Sequence, residues 1–272
     1  MRSVFRWPAA LVAGFAPFLA GTPAHAEPFW SPISGEWLVT VKGNFTASPQ
    51  YPASKDWGFS PFPSLSVRRA GTPLAFSSPD DNLGFALIDH GWFKFGPSAK
   101  FVAARNSADH RELLGLRDID WTIEAGLFAE FWANENIRLR ADIRHGFHGH
   151  RGFVADIGAD YVHRSGAWTF SGGPRLALGD TKYMSRTFGV TGPESLANGV
   201  LPAFAPHGGF KSFGAAGAVS YDWNANWRTT LWGRYDRLAG DAGRSPVATL
   251  TGSRNQFTLG ATVAYTFNLR IP

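Results

Sequence analysis

The sequence predicts an all-β chain, a transmembrane antiparallel up-and-down barrel of about twelve strands behind an N-terminal signal peptide. Three observations predict it. Strand-length segments alternate apolar and polar residues with period two. Aromatic residues reach 15% while charged residues are held to 17%, as a wall facing hydrocarbon requires. Cysteine is absent, and no run of 18 apolar residues follows residue 26, so the pattern offers neither disulfides nor a membrane helix.

The leader is read first. Arg2 and Arg6 give a positive start, Ala9 to Ala20 is mostly apolar, and Ala24-His25-Ala26 is a small-x-small cleavage site. Residues 1–26 are therefore expected to be a signal peptide and 27–272 one exported barrel domain, destined for the outer membrane. The 26 basic residues against 21 acidic ones are spread along the chain, which excludes a nucleic-acid-binding face.

Strands follow from the alternation. Trp37, Val39, Val41 and Phe45 oppose Leu38, Thr40, Lys42 and Asn44. Trp121, Ile123, Ala125, Leu127, Ala129 and Phe131 oppose a row containing Glu124 and Glu130. In "NIRLRADIRHGFHGH" (136–150), Ile137, Leu139, Ala141 and Ile143 share one face, and Arg138, Arg140, Asp142 and Arg144 share the other. Phe153 to Tyr161 alternates with Asp156 and Asp160, and Trp227 to Tyr235 alternates with Arg228, Arg234 and Asp236. The clearest strand is the last, where Phe257 to Phe267 presents a continuous apolar face opposite Thr and Gly. The expected strands are 36–47, 62–69, 72–78, 83–89, 92–104, 119–133, 136–147, 151–163, 167–178, 208–223, 226–238 and 254–267.

This assignment separates the connections into two kinds. Ala70-Gly71, His90-Gly91, Asn134-Glu135, 164–166 and Asn224-Ala225 are short, whereas 48–61, 105–118, 179–207 and 239–253 are long. Only 79–82 and 148–150 are short among the outer set. Short periplasmic turns with longer outer loops characterise outer-membrane barrels. A soluble sandwich or small barrel would carry its charged rows outward. Here they are expected to face the lumen, as a charged cluster of Lys42, Glu124, Glu130, Arg138, Arg140, Asp142, Arg144, Asp156, Asp160, Arg175, Arg228, Arg234 and Asp236. Both signs occur together, which suits either internal cross-linking or a narrow aqueous path.

Catalytic and metal chemistry find no constellation. His145, His148, His150 and His163 approach one rim in sequence, but no carboxylate or thiolate stands with them at ligand spacing. Asp89-His90, and Asp109-His110 with Ser107, lack a positioned nucleophile and oxyanion turn. Asp118 and Asp120 read as turn residues closing a loop onto its strand. No catalytic residue, metal ligand or cofactor is assigned.

Six motifs run in order along the chain: "PQYPAS" (49–54), "LLGLRDIDWTIEAGLFAEF" (113–131), "HGHRG" (148–152), "GDTKYMSRTFGV" (179–190), "RLAGDAGRSPV" (237–247) and "GATVAYTF" (260–267). With them the sequence resembles the MltA-interacting protein / OmpV family of outer-membrane proteins. The resemblance singles out two loops, through Gly179, Asp180, Tyr183, Phe188, Gly189 and Val190 and through Arg237, Gly240, Asp241, Ser245 and Pro246. Asp241 and Arg244 are placed to pair between them. Two departures stand out. The chain continues as "FNLRIP" after the aromatic Phe267, and Ala53 stands where the family tends to have Gly.

The resemblance implies a non-enzymatic scaffold between the outer membrane and cell-wall enzymes, with a murein transglycosylase and a peptidoglycan synthase as partners. The alternative is a narrow porin-like channel for small polar solutes.

Overall fold

A computed structural model of the chain describes residues 35–72 and 74–271. The leader expected at 1–26 lies outside them. The described residues form one antiparallel sheet of twelve strands: β1 (Gly35–Pro49), β2 (Trp57–Arg69), β3 (Leu83–Gly84), β4 (Ile88–Asp89), β5 (Phe93–Val102), β6 (Thr122–Trp132), β7 (Ile137–His148), β8 (Phe153–Ser165), β9 (Trp168–Gly179), β10 (Gly209–Asp222), β11 (Trp227–Leu238) and β12 (Asn255–Ile271). From β5 to β12 neighbours in sequence are neighbours in space, and the order continues through β1, which pairs with both β12 and β2. Three short helices sit in the long connections: α1 (Thr181–Phe188), α2 (Gly192–Asn198) and α3 (Gly240–Arg244).

Register fixes which face is which. Phe131 lies opposite Leu139 and Ala159 follows on the next strand, while Glu130 lies opposite Arg140, and Arg138 opposite Asp160. Ile137, Leu139, Ile143, Ile157, Leu231 and Leu259 are exposed to the surroundings, whereas the Arg138 and Arg144 side chains are each 1% exposed. The apolar face is therefore outside and the charged face inside, the inversion that hydrocarbon solvent demands. Aromatic residues cluster at both margins of the outer wall. Trp92 packs edge-on to Phe131, Trp168 on Tyr221 and Trp227 on Tyr265 at the short-turn end. Phe101 stacks on Trp121, and Tyr235 packs on Phe257, at the long-loop end. Such rings mark the two membrane interfaces.

The twelve strands are not all those expected. Among the described residues, 72 and 74–78 form no strand, and 79–82 is not an outer loop. Residues 76–81 instead lie inside the lumen, where Phe76 stands by Arg138 and Asp80 and Asp81 meet Arg175 and Arg138. β3 and β4 are two pieces of one stave, both laid on β5, with Leu83 opposite Ala99 and Ile88 opposite Phe95. β2 is longer than expected, which shortens the first outer loop to 50–56.

The proline pattern explains why this stretch leaves the wall. Ala70 donates its amide to the Glu36 carbonyl, so the even-numbered residues of β2 carry the bonds to β1. Odd-numbered amides point to the other edge, where Pro61 and Pro63 have no N–H to offer. No ladder joins β2 to β3 or β4 among the described residues. The two ends of the sheet are joined instead through their loops: Tyr51, after β1, donates its hydroxyl to Glu112, after β5, at 2.7 Å. Arg105 lies over the same Tyr51 ring.

The wall geometry sets a depth-dependent test. Ile143 is mid-strand on the outer face, and Ile143→Arg is expected to destabilise the barrel by about 2–4 kcal/mol, measured by denaturant unfolding in lipid. Leu139, one turn of the pleat from the short-turn margin, is expected to tolerate the same change at about 1 kcal/mol. Equal costs at both positions would contradict the placement of the membrane.

Candidate functional site

The site is the barrel interior, and it begins with a turn the sequence disguises. In "SSPDDN" (77–82), the Asp81 carboxylate accepts from the Ser78 amide at 2.8 Å, and the Ser78 hydroxyl donates to Asp80 at 2.6 Å. Ser and Asp side chains folding back on their own backbone make a compact turn without a ladder. This turn carries two carboxylates into the lumen. Asp80 meets Arg175 at 2.8 Å and Arg234 at 3.1 Å, and Asp81 meets Arg138 at 2.6 Å. Below it, Phe76 stands edge-on to Trp132 and under the Arg138 guanidinium.

Arg138 is the hub. Besides Asp81 it bonds Glu130 at 2.8 Å and Asp160 at 2.9 Å. Arg175 takes the other oxygen of Asp160 at 2.6 Å and donates to the Ala159 carbonyl and the Ser78 hydroxyl. Arg234 holds Asp236 through two nitrogens. A guanidinium presents several donors in a rigid fork, which is why arginine rather than lysine serves a buried, many-partnered site.

A second tier lies nearer the outer mouth. Arg140 pairs with Asp142 at 2.8 Å and lies 4.1 Å from the centre of the Phe128 ring. Asp142 also accepts from Ser98. Arg144 pairs with Glu124 at 3.0 Å and with Asp156, and His150 Nε2 stands 3.0 Å from the second oxygen of Glu124.

The structure brings eleven of the thirteen anticipated charges into these tiers: Glu124, Glu130, Arg138, Arg140, Asp142, Arg144, Asp156, Asp160, Arg175, Arg234 and Asp236. The other two lie apart. Arg228 pairs with Asp222 near the short turn between β10 and β11. Lys42 lies on the Thr- and Ser-lined face of β12, β1 and β2, next to Ala264 in register. Sequence reasoning missed Asp80, Asp81, Ser78 and Ser98. Two adjacent acids after Pro79 were the available signal, but a loop reading absorbs them.

The rim histidines diverge. His145 packs among Phe147 and Phe153 on the outer face, His148 stacks on Trp121, His163 lies at the opposite, short-turn end across from Phe170, and of the four His150 alone enters the lumen. Among the described residues no group of three His, Cys, Asp or Glu side chains gathers to hold a metal. Asp118 accepts from the Ser107 amide and closes its loop.

Above the lumen the long loops make a separate, apolar core. Tyr51, Ala53, Leu113, Leu116, Tyr183, Met184, Phe188, Val190, Leu201, Val247 and Ala248 are buried together. Of the residues singled out by family resemblance, Tyr183, Phe188 and Val190 belong to it, and most of the others shape the loops around it. Asp180 caps α1 by accepting from the Tyr183 amide at 2.7 Å, immediately after Gly179 ends β9. Phe188 closes α1, and a Cβ on Gly189 would stand 2.4 Å from the Ser185 carbonyl oxygen. Val190 bridges to Phe204. Across the mouth, Gly240 takes φ +51° to start α3, and Asp241 accepts from the His207 amide and from Arg244. Ser245 donates to the Phe188 carbonyl at 2.6 Å and accepts from Val247, locking the two motifs together as Pro246 turns the chain. Arg237 bonds Asn255 on the outer face. A third lock joins Arg117 to Glu194 through two nitrogens. Burial would raise the Glu194 carboxyl, but Arg117 and the Thr191 cap hold it down at about 2.

An apolar exterior, aromatic rings at two levels and charges turned inward define an integral outer-membrane β-barrel protein. Residues 43–267 match the family model described as MltA-interacting protein MipA, and the chain belongs to that family. It resides in the outer membrane. A comparison with curated proteins gives no match. Among solved structures the chain is similar to the KdgM porin (8% identity, 85% of this chain and 99% of that one, TM-score 0.38). It is also similar to the NanC porin (10%, 84% and 98%, 0.41) and to the COG4313 outer membrane channel from Pseudomonas putida F1 (10%, 92% and 100%, 0.36). The fold stated above rests on the strand register.

Three measurements follow from this geometry. Arg138→Ala leaves Asp81, Glu130 and Asp160 buried without their shared cation and is expected to cost about 3–5 kcal/mol of unfolding free energy in detergent. Ala53 holds φ +80°, a conformation glycine adopts freely, so Ala53→Gly is expected to leave stability unchanged or raise it by up to about 1 kcal/mol. The Arg117–Glu194 lock contributes fully above the ordinary carboxylate value of 4.5 and is lost as pH falls through about 2. Amide exchange in 192–201 is therefore expected to stay slow at pH 4, and a loop that opens between pH 5 and 4 would contradict it.

Proposed function

We propose that the chain is a non-catalytic, non-conducting scaffold that holds cell-wall enzymes at the inner surface of the outer membrane. The partners are a murein transglycosylase and a peptidoglycan synthase, and the contact is made through the short turns. The observation that carries this reading is the occupied lumen. Residues 74–82 are tied by Asp80 and Asp81 to arginines from β7, β9 and β11, and the outer mouth is covered by an apolar core. A barrel whose interior serves as a cross-link and whose mouth is packed suits a rigid platform better than a path. The family description supports the direction, since it names an interaction with MltA.

A second reading keeps some support. On the lumen side of β12, β1 and β2 the side chains are hydroxyls and amides, including Thr40, Asn44, Ser64 and Thr262, with Lys42 half-buried among them. That wall suits a narrow path for small polar solutes.

The two readings separate in one pair of experiments. Wild-type protein in a planar bilayer is expected to show no stepwise conductance, while Asp80→Asn combined with Asp81→Asn is expected to show it. The full chain, immobilised in detergent, is expected to retain a purified murein transglycosylase. Conductance steps in the wild type, with no retention, would overturn the scaffold reading in favour of the path.

A further inference from the structure

We propose that a groove on the outer wall, under α3, binds the phosphorylated and acylated glycolipid of the outer leaflet. The groove encloses about 580 Å³ where the loops after β9 and β11 meet the wall. Its floor is apolar and exposed: Leu176 with Phe210 and Phe213, the two rings being 57% and 53% exposed. Its upper edge is polar, formed by His207, Asp241 and Arg244.

A β-bulge makes the floor. Pairing between β9 and β10 slips at Lys211, so Phe210 faces Leu178 and Phe213 faces Leu176, both on the outer side. Lys211 turns inward over the Tyr183 ring. Without the extra residue, strict alternation would send one of these two aromatics into the lumen. The bulge thus places two rings, one above the other, where acyl chains run.

Charge selects the headgroup. Asp241 is already engaged by the His207 amide and by Arg244. Arg244 remains largely exposed. Arg237 lies directly across from Phe213 on the same outer face. Its described partner is the neutral amide oxygen of Asn255, and among the described residues it makes no ion pair. Arg244 shares its charge with Asp241, and Arg237, beside the groove's Phe213, adds a second guanidinium without a carboxylate among the described residues. Guanidinium and phosphate match in geometry as well as charge. The groove lies at the long-loop end, and the inner-leaflet phospholipids meet the opposite margin. The occupant is therefore the outer-leaflet glycolipid.

The test uses the full chain in zwitterionic detergent, titrated with deep-rough lipopolysaccharide and, separately, with phosphatidylglycerol, and read by native mass spectrometry. Arg237→Gln with Arg244→Gln is expected to weaken lipopolysaccharide binding by about tenfold or more. Arg164→Gln, at the turn between β8 and β9, is expected to leave it unchanged. Phe213→Ala keeps both arginines and is expected to weaken the same binding, which covers the case in which the double variant does not fold. Equal loss in Arg164→Gln, no loss in either groove variant, or equal affinity for phosphatidylglycerol would each overturn the assignment.

Discussion

Arg138 meets three carboxylates drawn from β6, β8 and the segment that lies inside the lumen, and the rest of the interior is arranged around that meeting. Hydrocarbon outside leaves charged side chains one place to go, and inside the barrel each must find a partner or be left uncompensated in a medium that solvates it poorly. Arg138, with Glu130 and Asp160, ties three neighbouring staves. Asp81 then recruits a stretch of chain with no place in the ladder. Arg175 and Arg234 repeat the operation with Asp80 on the far side, so one turn of backbone is gripped from three strands of the wall.

Two unlike cores result, each matched to what surrounds it. At membrane depth the interior is ionic and hydrogen-bonded, because the apolar side chains face lipid. Beyond the membrane, where loops meet water on their outer side, the apolar residues turn inward again, and Phe188, Met184, Leu113 and Val247 pack as in a soluble domain. The crossover between the two lies at Tyr183, buried in the loop core, whose ring stands over the lumen histidine His150 and beside Lys211. Rigidity at the mouth and rigidity in the lumen are thus connected through one side chain, which supports reading the barrel as a platform.

Much of this was legible in the chain. Alternation in 122–132 and 137–148 is strong because lipid on one side and ion pairs on the other penalise any slip of register, and in 255–267 lipid opposes a face of hydroxyls and small residues. The loop motifs were legible too, since Asp180 and Gly189 do local work at the ends of one helix. Less was legible where partners are chosen across the lumen. Nothing near Asp80 in sequence announces Arg175 or Arg234, because that pairing depends on how far the sheet curls. The stretch 72–78 has apolar residues to offer a wall, yet its would-be neighbour is β2, whose free edge lacks amides at Pro61 and Pro63. The conformation of Ala53 was visible only through the glycine that family members tend to carry there.

The missing ladder at β2 also bears on how the barrel breathes. Elsewhere adjacent staves are zipped by backbone bonds and must part together, but here, among the described residues, the sheet's ends are joined by the loop contact of Tyr51 with Glu112. Opening at this seam would sever few backbone hydrogen bonds, so it is expected to cost less than parting any ladder-bonded pair of staves. Slow exchange elsewhere in the wall, with faster exchange along β2 and β3, would be its signature. The same seam is where sideways pressure from the membrane would first be felt.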